Sequence, residues 1–136
     1  MAKAKFGKDT YRKAIETGDG QLLADAFGQG VKFYVPVREK PYVGRMNAVK
    51  FLAQLGGIFQ NFRWIDQMEG NDGSRMMLFQ ATIPATATTP EVEITAGDYL
   101  KSFNNNDRIT EFYALARPRV ALEALTAHGV KGPDEF

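Results

Sequence analysis

The sequence predicts a single α+β domain in which a curved antiparallel or mixed sheet wraps around one long helix, with shorter helices at the N-terminus. Three observations support this class. Apolar residues recur at spacings of three and four near the N-terminus and again over residues 46–59. Segments rich in β-branched and aromatic residues dominate the second half. Turn-forming Asn, Asp and Gly separate those segments. Helices segregated from strands along the chain indicate α+β architecture.

Two short helices are predicted first. Asp9 or Thr10 can cap the first helix, because a side-chain oxygen there accepts a hydrogen bond from the free backbone N–H groups of the first turn. Asp19 is the corresponding cap of a second helix that continues through Phe27. The Gly-Gln-Gly segment 28–30 is predicted to end it, since glycine commonly terminates helices.

The first strand and the longest helix follow. Residues 31–35 are β-branched and aromatic, and Pro36, which lacks a backbone N–H, places the end of this strand at a sheet edge or bulge. The long helix is predicted over residues 46–59. Gly56 and Gly57 weaken its last turn by about 1 kcal/mol each relative to alanine.

The rest of the chain predicts antiparallel strands and a closing helix. Segment 75–83 is apolar on both faces, which indicates a covered position inside the sheet. The Asn-rich turn 104–107 predicts a hairpin, because Asn and Asp tolerate left-handed backbone. The predicted strands are 62–69, 75–83, 91–103 and 108–116, and the predicted closing helix is 120–128.

Composition bounds the function. The 136 residues suit one domain, 1–136, with a core over about 9–129. Seventeen basic and sixteen acidic residues leave a net charge of +1, so we expect neither a nucleic-acid nor a membrane partner. The absence of cysteine and the single histidine exclude thiolate catalysis and a multi-histidine metal site. We therefore expect no metal, no cofactor and a cytoplasmic protein.

Several motifs resemble one family. Residues 33–37 read F-Y-V-P-V, and residues 40–45 read K-P-Y-V-G-R. Residues 97–100 read G-D-Y-L, and R-I-T-E at 108–111 precedes R-P at 117–118. Together they resemble the SnoaL-like branch of the nuclear transport factor 2-like superfamily, over residues 11–129. The resemblance implies the cystatin-like cone fold of ketosteroid isomerase, with a pocket between sheet and helices. It also implies isomerase, cyclase or dehydratase chemistry, none of which the fold selects by itself.

The sequence departs from the family pattern in the first strand. Val35 stands where the steroid isomerases of this superfamily place their basic aspartate, and Tyr34 stands where SnoaL-like proteins often have histidine. Valine cannot move a proton. One extra residue also lies between Asp98 and the Asn-rich turn, which indicates a bulge. It leaves open whether Asp98 or Tyr99 points into the cone.

Asp98 is the foremost candidate for catalysis. In an extended strand, alternate residues share a face, so Asp98 shares one with apolar residues at 92, 94, 96 and 100. Burial there raises a carboxyl pKa, which suits a general base or a neutral hydrogen-bond donor. The alternative is a carboxylate that bonds to nearby backbone or pairs with an arginine such as Arg117.

Other side chains are candidates to contact a ligand. The hydroxyls of Tyr11 and Tyr34 are candidates to orient a carbonyl, although aromatic packing with the hydroxyl at the rim is the favoured interpretation of both residues. His128, near the end of the closing helix, is predicted to interact with that helix's C-terminus. The remaining candidates are expected to form the wall of the pocket or an ordinary core: Trp64, Phe79, Tyr99, Phe51 and Leu55.

Two functional hypotheses follow. The first is an enzyme that moves a proton on a small, mostly apolar carbonyl compound, with Asp98 as acid/base and Tyr11 or Tyr34 as donor. The second is a non-catalytic module that binds an apolar ligand in the same cone. Both allow a homodimer formed through the open face of the sheet.

Overall fold

A computed structural model describes residues 8–36 and 38–132; the chain ends lie outside it, as does Val37, the last residue of the F-Y-V-P-V motif. The described residues form four helices and six strands, and most of the strands follow the helices along the chain, which confirms the predicted α+β class. In chain order they are α1 (Lys8–Thr17), α2 (Gly20–Ala26), β1 (Phe27–Tyr34), β2 (Tyr42–Val43), α3 (Arg45–Ile58), β3 (Gln60–Glu69), β4 (Arg75–Ile83), β5 (Val92–Phe103), β6 (Ile109–Arg117) and α4 (Val120–Ala127).

The strands form one open, curved, mixed sheet. Its order is β2-β1-β6-β5-β4-β3. Among these described strands, β1 and β6 are the parallel pair, and the other neighbours are antiparallel. Strand β4 lies between β5 and β3, as expected from its two apolar faces. Helix α3 crosses the concave side and buries Ala48 and Leu52.

The two N-terminal helices form as their sequence predicts. Helix α1 buries Thr10, Tyr11 and Ala14 on one face. Gly18 ends it with φ of 68°, a left-handed conformation that glycine adopts without a steric cost. Asp19 then caps α2, its Oδ1 accepting a hydrogen bond of 3.0 Å from the backbone N–H of Leu22.

The predicted start of β1 was wrong, because the strand begins at Phe27 and not at Val31. Helix α2 stops at Ala26, one residue before its predicted end, so the Gly-Gln-Gly segment is strand and not a helix stop. The cause is packing against β6. The Phe27 ring is buried against Phe112 at a centroid distance of 5.8 Å. A Cβ on Gly28 would lie 3.3 Å from the Ile109 carbonyl oxygen, so glycine lets the two strands approach closely.

Helix α4 closes the far end of the sheet. The helix buries its residues Ala121 and Ala124 in the core. His128 follows the helix, and its Nε2–H donates a hydrogen bond of 2.6 Å to the carbonyl oxygen of Pro84, on the loop after β4. This bond ties the helix end to the sheet. No helix in 8–36 or 38–132 is long and apolar enough to cross a membrane.

Candidate functional site

A cavity of about 530 Å³ lies between the N-terminal helices, helix α3 and the concave side of the sheet. It is called the cone cavity below. Most of its wall is apolar. The lining residues are Tyr11, Ala14, Ile15, Glu16, Gly18, Asp19, Gly20, Leu23, Val49, Leu52, Ala53, Leu55, Gly56, Phe59, Phe62, Phe79 and Asp98.

Asp98 contributes the carboxylate in the interior of this cavity. Strand β5 keeps a regular alternation up to Leu100, and its register irregularities lie between Leu100 and Phe103. The extra residue is therefore accommodated beyond Asp98, close to the hairpin turn. Asp98 stays on the same face as the buried Ala96 and Leu100 and is itself only 7% exposed.

Tyr99 consequently points to the opposite face of the sheet. Its ring lies 6.0 Å from that of Tyr113 on β6. The alternation of β1 has the same effect on Tyr34, because its neighbours Phe33 and Val35 are both buried in the core. Tyr34 stacks on Tyr113 with ring centroids 4.3 Å apart. Neither Tyr99 nor Tyr34 lines the cone cavity.

Tyr11 and Asp98 form a buried pair. The Tyr11 hydroxyl donates a hydrogen bond of 2.7 Å to Oδ2 of Asp98, across 87 positions of sequence. Tyr11 is fully buried, and its ring is held edge-on by Phe27 at 5.9 Å and Phe112 at 5.3 Å. Packing thus fixes the ring, and the ring presents its hydroxyl to the carboxylate.

Burial sets the proton affinity of this pair. Loss of water raises the pKa of Asp98 from 3.8 to about 7, and the hydrogen bond from Tyr11 opposes this rise because it favours the charged form. Burial, followed by the charge of Asp98, raises the pKa of Tyr11 well above its usual value. Tyr11 therefore keeps its proton near neutral pH, while Asp98 exists in both protonation states.

Among the described residues, no cation neutralises Asp98. Tyr11 is its hydrogen-bond partner, and the ion pairs formed among the described residues do not include Asp98. Arg117, the sequence's suggested alternative partner, is exposed and lies opposite Thr95 in the sheet. Glu111, an acidic residue on the same strand as Arg117, pairs with Lys101 at 3.8 Å. A carboxyl group without a cation in an apolar cavity is an environment typical of proton-transfer sites.

The predicted wall residues are divided between the cavity and the core. Phe79 and Leu55 line the cone cavity. Trp64 stands behind the wall, with its ring 4.9 Å from Phe62 and 5.9 Å from Phe79. Phe51 does not line the cavity; its ring packs 5.6 Å from that of Phe33 in the core. Positions 51 and 55 share a face of α3 but lie one turn apart along its axis, and only the second reaches the cavity.

Sequence reasoning missed several lining residues. Two acidic residues, Glu16 and Asp19, line the cavity. Phe59, which follows α3, and Phe62 in β3 add aromatic side chains to its wall. The amphipathic pattern of α1 and α2 marked the buried faces of those helices but not which part of a face borders empty space. Within the described part of the chain, no group of three or more His, Cys, Asp or Glu residues is arranged to hold a metal ion.

Comparison with solved structures places this geometry in a known fold. A steroid delta-isomerase from Pseudomonas aeruginosa superposes with a TM-score of 0.75 at 24% identity, over 87% of this chain and 82% of that one. An uncharacterised protein with a cystatin-like fold from Silicibacter pomeroyi gives 0.74 at 22% identity, over 87% and 78%. A SnoaL-like polyketide cyclase, described as putative, from Shewanella denitrificans gives 0.63 at 19% identity, over 86% and 92%.

The chain has the cystatin-like α+β fold of these structures. The fold implied by the sequence motifs is thereby confirmed. No protein-family model matches the sequence, and no curated protein is significantly similar to it. Proteins that share one fold can carry out different reactions, so the function has to be argued from the residues of the cone cavity.

Proposed function

We propose that this protein catalyses proton transfer on a small, mostly apolar carbonyl compound bound in the cone cavity, with Asp98 as the acid/base. One observation carries the proposal: a carboxyl group with a pKa of about 7, without a cation, held by Tyr11 in a largely apolar cavity. A general base works best when its pKa lies near the working pH.

The proposed step is an enolisation. The Asp98 carboxylate accepts a proton from the carbon next to the carbonyl group. The electron pair of the broken C–H bond moves into the enolate, whose negative charge develops on the carbonyl oxygen. Asp98 then returns a proton to the same carbon or to a conjugated one. The first outcome exchanges the proton of the substrate and the second isomerises the substrate, and neither needs an oxidant or reductant.

Tyr11 is proposed to act both before and after proton transfer, first on the Asp98 carboxylate and then on the enolate oxygen. Its hydroxyl first orients the carboxylate through the 2.7 Å hydrogen bond. Among the described lining residues it is the side chain with a neutral hydrogen-bond donor, so it is the group available to the enolate oxygen once Asp98 has taken the proton. Val35 does not move a proton here, and the proposal assigns that work to β5 instead of β1.

Hydrogen–deuterium exchange tests the reaction. 2-Tetralone, a compact bicyclic ketone, would be incubated with the protein in D₂O and its α-protons followed by ¹H NMR. Wild-type protein should accelerate exchange above buffer, and Asp98→Asn should remove about 10²- to 10⁴-fold of that acceleration. Asp66→Asn, an exposed change on β3, is the matched control and should leave the rate unchanged. Equal rates for wild type and Asp98→Asn would reject the proposal.

The apolar wall supports a second candidate, a non-catalytic ligand-binding module. Leu23, Val49, Leu52 and Phe79 give the cavity the character of a hydrophobic binding site. In this case Asp98→Asn should preserve binding of 2-tetralone, measured by calorimetry, and neither protein should exchange its protons. Loss of turnover with retained binding distinguishes the enzyme from the module.

We also propose a homodimer through the outer face of the sheet. Tyr99, Tyr113 and Leu115 lie on the side opposite Asp98, and Leu115 is 47% exposed. Exposed apolar side chains on an open sheet favour association. The molar mass measured by light scattering should be twice that of the chain, and the mass of a monomer would refute this assembly.

A further inference from the structure

The charged residues that line the cone cavity are all acidic. Glu16 lies in the last turns of α1, and Asp19 lies in the connection to α2. The side chain of Glu16 is 46% exposed and Asp19 is also exposed, so both carboxylates stand at the mouth of the cavity. Asp98 lies in its interior. These three residues give the path from solvent to the reactive carboxyl group a single sign of charge.

Local bonds hold both mouth carboxylates in position. Oε2 of Glu16 accepts a hydrogen bond of 3.1 Å from Nε of Arg12, one helical turn earlier. Oδ1 of Asp19 caps α2 at 3.0 Å from the N–H of Leu22. Each side chain therefore has a structural reason for its orientation, and each keeps its negative charge near the opening.

Within residues 8–36 and 38–132, the other walls supply no compensating charge. Helix α3 with the following Phe59, strand β3 and strand β4 contribute only apolar residues or glycine to the described lining. No lysine, arginine or histidine is part of that lining. The guanidinium of Arg12, which offsets part of the charge of Glu16, stacks 5.5 Å from the centroid of the Trp64 ring and bonds to Gln67. Arg12 is not among the lining residues, so it offers an incoming anion no place inside the cavity.

We propose that the cone cavity selects its ligand by charge, admitting neutral and cationic apolar molecules and excluding anions, with Glu16 and Asp19 as the residues that determine this specificity. An anion entering the cavity loses hydration, meets no cation and approaches like charges in a medium less polar than water. An ammonium group meets the opposite field. The substrate is thus a neutral carbonyl compound and not a carboxylic acid or a phosphate ester. The inference rests on the ligand site of the proposed function but not on its proton chemistry.

A matched ligand series tests charge selection. 2-Tetralone, 2-aminotetralin and tetralin-2-carboxylate share one ring system and differ in charge. Their dissociation constants would be measured by calorimetry at pH 8 in low salt. We expect the carboxylate to bind at least about tenfold more weakly than the ketone, and the ammonium compound at least as tightly. High salt should narrow the difference, because the mouth carboxylates are exposed to screening ions.

Two double variants test whether Glu16 and Asp19 at the cavity mouth cause the charge selection. Glu16→Gln with Asp19→Asn removes both charges while keeping similar shapes, and asparagine caps a helix as well as aspartate. This variant should improve the affinity for the carboxylate relative to the ketone at least about threefold. Asp66→Asn with Glu123→Gln removes two exposed charges outside the lining and should leave that affinity ratio unchanged.

Each outcome bears on a separate claim. Carboxylate binding equal to that of the ketone would overturn charge selection. If tetralin-2-carboxylate is excluded as strongly by the Glu16→Gln, Asp19→Asn variant as by the wild type, the role of Glu16 and Asp19 would be overturned. Failure of all three compounds to bind would overturn the ligand site, and with it the proposed function. Binding of 2-tetralone without proton exchange would refute the chemistry and leave charge selection standing.

Discussion

Replacing Asp98 by asparagine should stabilise the protein at alkaline pH and leave it nearly unchanged in acid. Asparagine has the same shape and its oxygen can still accept the hydrogen bond from Tyr11, but it carries no charge. In the wild type, the folded state holds a proton on Asp98 up to a pKa of about 7, whereas an unfolded aspartate releases it near 3.8. A raised pKa favours folding below the lower value, and this contribution is lost as pH rises through about 4 to 7.

The size of the effect follows from the difference between those pKa values. About three pH units at 1.36 kcal/mol each give an upper value of about 4 kcal/mol. Asp98 is almost fully buried, so solvent screening reduces this figure little. Urea unfolding of both proteins, followed by Trp64 fluorescence, would be compared at pH 4.5 and pH 8. The stability of Asp98→Asn relative to wild type should increase by a few kcal/mol between them.

A control at an exposed aspartate tests whether the pH effect is specific to the buried Asp98. Asp66→Asn, at an exposed position on β3, is the matched control, and the change in offset given by Asp98→Asn between the two pH values should exceed any change that the control gives. An Asp98→Asn offset that is independent of pH would show that Asp98 ionises alike in the folded and unfolded states. That result would refute the argument that burial drives the behaviour of this carboxyl group.

Two further predictions follow from the same contacts. Tyr11→Phe removes the hydrogen bond that favours the charged form of Asp98, so the Asp98 pKa should rise above about 7 in a ¹³C NMR titration of the carboxyl carbon; an unchanged or lower pKa would contradict the pairing. Gly56→Ala should stabilise the protein by about 0.5–1 kcal/mol in thermal unfolding, because Gly56 lies within α3 and an added Cβ meets no atom within 4 Å, and a loss of stability would show that the site is more crowded.

The parts of the fold governed by local rules were predictable from sequence. Asp19 caps α2 because the residue type and its position before an apolar stretch are sufficient for a cap. Buried and more exposed residues alternate along most of β5 as predicted, because the two-residue period of a strand is visible in its own sequence. The strand position of Asp98 among apolar neighbours was visible for the same reason.

The remaining features depend on contacts between distant segments. Phe27 begins a strand instead of ending a helix because this segment packs against Phe112 and Ile109 on β6. The local sequence pattern does not indicate which distant strand lies beside it. The partner of Tyr11 was equally hidden: sequence reasoning gave its hydroxyl to a ligand carbonyl, whereas the structure gives it to Asp98, 87 residues away. The cavity itself is a gap between elements, so its mouth residues cannot be read from any one of them.

The pH dependence of proton exchange tests the central claim most directly. The rate constant kcat/KM for exchange of 2-tetralone would be measured from pH 5 to pH 9. If the Asp98 carboxylate is the base, the rate should rise with pH, turn near pH 7 and reach a plateau, and Tyr11→Phe should move the turning point to higher pH. A rate that falls through pH 7 would mean that protonated Asp98 acts as a hydrogen-bond donor, and a profile without a turning point near 7 would contradict any role for its ionisation.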